Sequence, residues 1–101
     1  MGTRLELQTL LESIQGVSKV YFQPPENLKL VYPCIVYELS GDSVIHADNV
    51  KYLRKKAYTL TVIDRNPDSQ IAEEVSKLEL CKFERTFSSS NLVHFKYKIY
   101  F

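Results

Sequence analysis

The sequence predicts an α+β domain, a mostly antiparallel β-sheet packed with two α-helices in the order α-β-β-β-α-β-β. Three observations carry this reading. Two segments place their apolar residues on one helical stripe: Leu7, Leu10, Leu11 and Ile14 in the first, Ile71, Ala72, Val75 and Leu78 in the second. The segments between and after them alternate with period two, most clearly from Leu92 to Phe101. Turn and breaker residues separate the segments: Gly16, Pro24-Pro25, Ser40-Gly41-Asp42-Ser43, Asn66-Pro67 and Ser88-Ser89-Ser90-Asn91.

The first helix is expected over 3–15. Thr3 is its N-cap, Glu6 completes a capping box, and Gly16 stops it. Residues 17–23 read as a first strand, ended by two prolines that cannot donate to a ladder. After a connector over 26–31, a second strand is expected over 32–39, with Ile35, Tyr37 and Leu39 on one face and Cys34, Val36 and Glu38 on the other. Residues 40–43 read as a turn, and the weak pattern of 44–49 as an extended loop or ragged hairpin end. A third strand lies within 50–64, small, aromatic or β-branched on both faces and so partly covered on both. Asn66 and Pro67 fit the N-cap and first position of the second helix, with Asp68 as an alternative cap.

The chain then closes as a hairpin. Residues 83–87 form a short strand with Phe83, Arg85 and Phe87 on one face, followed by the serine-rich turn. In the last strand Val93, Phe95, Tyr97, Ile99 and Phe101 face a core, and His94, Lys96 and Lys98 face solvent. If Phe95 is core, Phe95→Ala costs roughly 3–5 kcal/mol, whereas His94→Ala costs little.

At 101 residues, 45% apolar and 25% charged, residues 1–101 read as a single globular domain able to bury one modest core. Three scattered glycines cannot make a phosphate loop. A net charge of +1 gives no field for nucleic acid or an anionic membrane, so neither partner is expected. No apolar run approaches the ~18 residues of a membrane span, and the start of the chain reads as lacking a secretory signal. Cys34 and Cys81 sit in apolar surroundings and read as reduced core thiols of a cytosolic product rather than a disulfide.

Few residues fall in patterns that carry chemistry. His46 and Asp48, two apart, make a poor chelate without further ligands, so no metal is expected. Apolar surroundings disfavour a thiolate at either cysteine, which removes the nucleophile a cysteine enzyme needs. The sequence therefore predicts no catalytic residues, no cofactor and no enzyme. The strongest charge feature is Lys51, Arg54, Lys55 and Lys56, suited to phosphate or to an acidic protein surface, or simply solvated. Seven tyrosines and five phenylalanines exceed what a small core buries, which makes Tyr21, Phe22, Tyr32, Tyr52 and Tyr100 candidates for a contact surface.

The run Tyr32-Pro33-Cys34-Ile35-Val36-Tyr37 resembles the tyrosine-proline-apolar strand of the tail terminator family of long-tailed bacteriophages, also called tail completion or tail-to-head joining proteins. The spacing onward to Ala47-Asp48-Asn49, to Tyr58-Thr59-Leu60-Thr61-Val62-Ile63-Asp64 and to the helix opening at Pro67-Asp68-Ser69 is similar to theirs. The resemblance implies a structural virion protein: an α+β subunit that assembles into a hexameric ring, caps the tail tube, halts its growth and joins the tail to the head connector. Its partners would be other copies of itself, the tail tube protein and the connector or stopper protein. Its place would be the head-proximal end of the tail, after synthesis in the bacterial cytoplasm.

The resemblance also implies that the polar excursion over 40–56 makes contacts, with His46, Asp48, Asn49, Lys51 and Arg54 as candidate contact residues. A ring needs two different patches that meet. The acidic helix face of Glu73 and Glu74 and the basic stretch of Lys51, Lys55 and Lys56 are suited to that. The alternatives are another virion part (a head-completion or minor tail subunit) or a small nucleic-acid or ligand-binding module in which Tyr58 and Phe95 stack on bases.

Overall fold

A computed structural model describes residues 3–47 and 51–101, with the side chains of all of these except 42–47 and 51–55. The element order is the expected one: α1 Arg4–Glu12, β1 Lys19–Phe22, β2 Cys34–Ala47, β3 Lys51–Asp64, α2 Gln70–Ser76, β4 Cys81–Ser89 and β5 Leu92–Tyr100. The strands form one five-stranded sheet in the order β1-β2-β3-β5-β4. Only β1–β2 is parallel; the other three pairs are antiparallel. The chain passes from β3 through α2 to the edge strand β4, then turns back as β5 into the gap between β4 and β3.

The helix starts follow from side chains that satisfy orphan N–H groups. Thr3 Oγ1 accepts from the Glu6 N–H and Glu6 Oε1 accepts from the Thr3 N–H, the expected capping box. The helix ends sooner than expected, at Glu12 with Ser13 as C-cap, and the chain turns through Gly16 at φ 98°. α2 is capped by Ser69 rather than Asn66 or Asp68, its Oγ accepting from the Ala72 N–H at 3.3 Å. Asn66 is spent one step earlier: its Oδ1 accepts from the Asp68 N–H at 2.9 Å and closes a local turn.

Both helices cover one face of the sheet. Leu7 and Leu11 of α1 and Ile71, Ala72 and Val75 of α2 pack on Ile35, Tyr37, Tyr58, Leu60, Val62, Tyr97 and Ile99. Tyr97 ties the layers together, its hydroxyl donating to the Ala72 carbonyl at 2.9 Å. Val20, Phe22, Phe95 and Phe101 close the margins of this core.

Two facing assignments change. The register of β4 shifts between Phe83 and Arg85, so Phe83 pairs with Tyr97 on the helix face while Arg85 and Phe87 pair with Lys96 and His94 on the other. Phe83 meets Tyr97 edge-on at 5.4 Å between ring centroids, and Phe87 stacks on His94 at 4.7 Å. The face carrying His94 is not simply solvated either. The connector between β1 and β2 crosses it, with Pro24, Leu28 and Leu30 near Val36, Ile63, Phe87 and His94. The Val31 N–H donates to the Tyr21 hydroxyl on that side.

These facts alter two expected energies. Phe95 is only half-buried at the margin of the core, so Phe95→Ala is expected to cost about 2 kcal/mol rather than the loss of a fully buried ring. His94→Ala is expected to cost about 1 kcal/mol by losing the stack on Phe87. His94 Nδ1 is buried without a hydrogen-bond partner among the described residues, so His94→Phe keeps the stack and removes the unpaired nitrogen. Urea unfolding should therefore find His94→Phe at or above wild-type stability; a loss of about 1 kcal/mol or more would show that the nitrogen is satisfied.

Candidate functional site: a projecting two-stranded ribbon

β2 and β3 are 14 residues each, far longer than their neighbours on the sheet. β1 pairs with β2 only as far as Phe22↔Tyr37, and β5 leaves β3 at Ala57↔Tyr100. Beyond that point, from Asp42↔Lys56 to Ala47↔Lys51, the two strands pair only with each other. At about 3.3 Å per residue, the stretch from Gly41 to Ala47 runs roughly 20 Å past the sheet. The molecule is correspondingly elongated, 48 × 26 × 22 Å.

Four local features mark the root of this ribbon. Ser40 is an extra residue between the pairs Leu39↔Tyr58 and Gly41↔Ala57, a bulge that bends and twists the strand. Its Oγ donates to the Ala57 carbonyl at 3.0 Å. Gly41 follows at φ 153°, a backbone value that L side chains rarely adopt. On the β1 side, the Gln23 side chain accepts from the Leu39 N–H at 3.2 Å, taking the donor that a longer β1 would have paired. On the β5 side, the Phe101 N–H donates to the Lys56 carbonyl at 2.9 Å, the last such bond before β3 loses its neighbour.

The stretch expected to be a turn and loop is therefore strand as far as Ala47. Its apolar pattern is weak because, among the described residues, neither a helix nor a third strand pairs or packs beside it, so backbone pairing sets the conformation. Of the candidate contact residues, His46 pairs across the ribbon with Tyr52, Lys51 with Ala47 and Arg54 with Val44. Asp48 and Asn49 lie outside the described residues, as do the side chains of His46, Lys51 and Arg54.

The aromatic surface differs from the expected one. Phe22 packs on Tyr37 at 4.9 Å under the Arg4 guanidinium, and Tyr21, Tyr32 and Tyr100 are half-buried. The side chain of Tyr52 lies outside the described residues. Among the described residues, the exposed aromatics are Phe83 and Phe87 on the edge strand β4. Tyr58 is 2% exposed and cannot stack on a base without unfolding, which removes one of the two rings from the nucleic-acid alternative. Among the described residues no helix is long and apolar enough to cross a membrane, and no three His, Cys, Asp or Glu side chains cluster as metal ligands.

Cys34 is fully buried and Cys81 half-buried; both thiols are free, and burial pushes each up to about 11. At pH 8 this lowers the thiolate fraction roughly a hundredfold relative to an ordinary cysteine. The native protein should thus react with a disulfide reagent such as DTNB far more slowly than the urea-unfolded chain; equal rates would place the thiols in water. The raised values also set a pH dependence. Folded thiols hold their protons where unfolded ones ionise, so this contribution to stability is intact below about pH 9 and is lost as pH rises through 11.

Comparison with known proteins finds no family model, no curated protein and no solved structure that matches this chain.

Proposed function

We propose that this chain is a structural assembly subunit of a long-tailed bacteriophage. A ring of copies caps the end of the tail tube, stops its growth and offers the surface that joins the tail to the head connector. The observation that supports this reading is the ribbon. A two-stranded ribbon alone in water is marginally stable, and its open edges and faces invite pairing or packing. A small domain that extends two strands well past its own sheet gains from a partner that covers them. The sequence of the ribbon, polar with Lys51, Arg54, Lys55 and Lys56 on one strand, suits a protein surface of opposite charge.

Native mass spectrometry of the chain, alone and with purified tail tubes, tests the proposal. The expected result is a closed ring of copies bound at tube ends. A species that stays monomeric and never meets a tube end overturns it. Particles lacking the protein refine the assignment: overlong or unjoined tails fit a terminator, whereas empty or leaking heads point to a head-completion subunit.

A further inference from the structure

A second feature is complementary to the ribbon. A groove of about 540 Å³ lies between α1 and α2, lined by Leu10, Ser13, Ile14, Gln70, Glu73, Glu74 and Leu78, with Gln15 at its end. Its apolar residues, Leu10, Ile14 and Leu78, are half-buried against the core, and its carboxylates are exposed. Among the described residues, no cationic side chain lines the groove. Glu74 is paired with Lys77, whose Nζ lies 3.4 Å away in an exposed pair that offsets little. The C-terminal end of α1 also opens onto it, and no basic residue occupies the last turn of that helix. The negative end of the helix dipole adds to the two carboxylates. The groove therefore favours a cationic occupant with some apolar surface.

We infer that this groove receives the basic β3 strand of the ribbon, Lys51 to Lys56, from a second copy of the chain. This rests on the assembly reading above. The segment carries four cations around an adjacent aromatic and apolar pair (Lys51-Tyr52-Leu53-Arg54-Lys55-Lys56), a composition that suits an acidic rim over an apolar floor. Groove and ribbon are different patches, so the contact is head-to-tail, the kind that closes into a ring when the rotation allows. The ribbon backbone continues the paired strands of its own sheet, whereas the groove is lined, among the described residues, by α1, α2 and the residues that follow them, so a second copy supplies the ribbon.

A charge-swap experiment on the full chain tests the inference, read by native mass spectrometry over a concentration series. E73K/E74K and K55E/K56E should each raise the concentration for half-assembly by roughly tenfold or more, because like charges then face one another. An equimolar mixture of the two variants should reassemble, since each variant's altered patch meets its complement on the other. E73Q/E74Q should give a smaller loss and guards against misfolding of the reversal variant. The inference is overturned if either reversal leaves assembly unchanged, or if the mixture stays dissociated. A wild-type chain that assembles and caps tubes while ignoring the swap removes only this inference; a wild-type chain that never assembles removes the assembly reading with it.

Discussion

Tyr37→Ala is expected to lower the melting temperature by about 15–30 °C, the largest effect of any single substitution in the core. Tyr37 is fully buried at the centre of the helix face of the sheet. Its ring lies 4.9 Å from Phe22 and 6.0 Å from Tyr58, joining β1, β2 and β3. Its hydroxyl accepts from Arg4 Nη1 and donates to Gln8 Oε1, and Gln8 Nε2 continues to the Val20 carbonyl. One side chain thus fixes α1 against the parallel edge of the sheet. Truncation leaves an aromatic-sized cavity, worth roughly 3–5 kcal/mol, and frees Arg4 and Gln8 from their shared partner. A domain of this size holds about 5–15 kcal/mol in total, and each kcal/mol moves the midpoint by about 4–8 °C. Tyr37→Phe separates the two contributions: it keeps the ring and should lose only about 1–2 kcal/mol. A thermal melt in which Tyr37→Ala shifts by less than about 5 °C would show that α1 is held by other contacts.

The position of Tyr37 is legible in the sequence, because Ile35 and Tyr37 share one face of a period-two strand and the helical stripes supply a layer to cover them. Thr3 and Glu6 are legible for a similar reason: a capping box is a local arrangement within four residues and needs no tertiary information. What stays hidden is long-range. Asn66 carries every local mark of an N-cap, yet Ser69 serves, because the Asn66 side chain closes a turn with Asp68 and the helix begins only where Ile71 and Ala72 reach the core. The bulge in β4 moves Phe83 to the opposite face from Phe87. It is invisible to a period-two count, which assumes uninterrupted pairing.

The ribbon shows the same limit from the other side. A strand is recognised in sequence by the apolar face it must bury, and Asp42 to Ala47 has no core to bury it in. The polar composition of 40–56 therefore marks the segment as exposed while leaving its conformation open. The strand appears only once β3 supplies thirteen residues of register opposite β2. The groove between the helices was half-legible: Glu73 and Glu74 stand out as an acidic face, whereas the apolar floor depends on Leu10, Ile14 and Leu78 meeting from two helices.

That separation between ribbon and core makes excision the sharpest functional experiment. Replacing Asp42–Lys56 with Asn-Gly joins the paired residues Gly41 and Ala57 by a two-residue turn of the kind hairpins favour. Among the described residues removed, 42–47 and 51–56 pair only with one another, apart from the Lys56 carbonyl, which accepts from the Phe101 N–H and is replaced by a new backbone carbonyl at the same place. Among the described residues, the helix-face core is built from positions outside this segment. The shortened protein should melt within about 5 °C of the full chain, since surface changes remote from the core rarely exceed ~0.5–1 kcal/mol. Assembly into rings and binding at tube ends should be abolished, because the long paired surface that would meet a partner is gone. A shortened chain that still assembles and caps tubes would move the contact to the edge strand β4, where Phe83 and Phe87 are exposed. One that fails to fold would mean that the ribbon packs on its own domain and is not free to reach another.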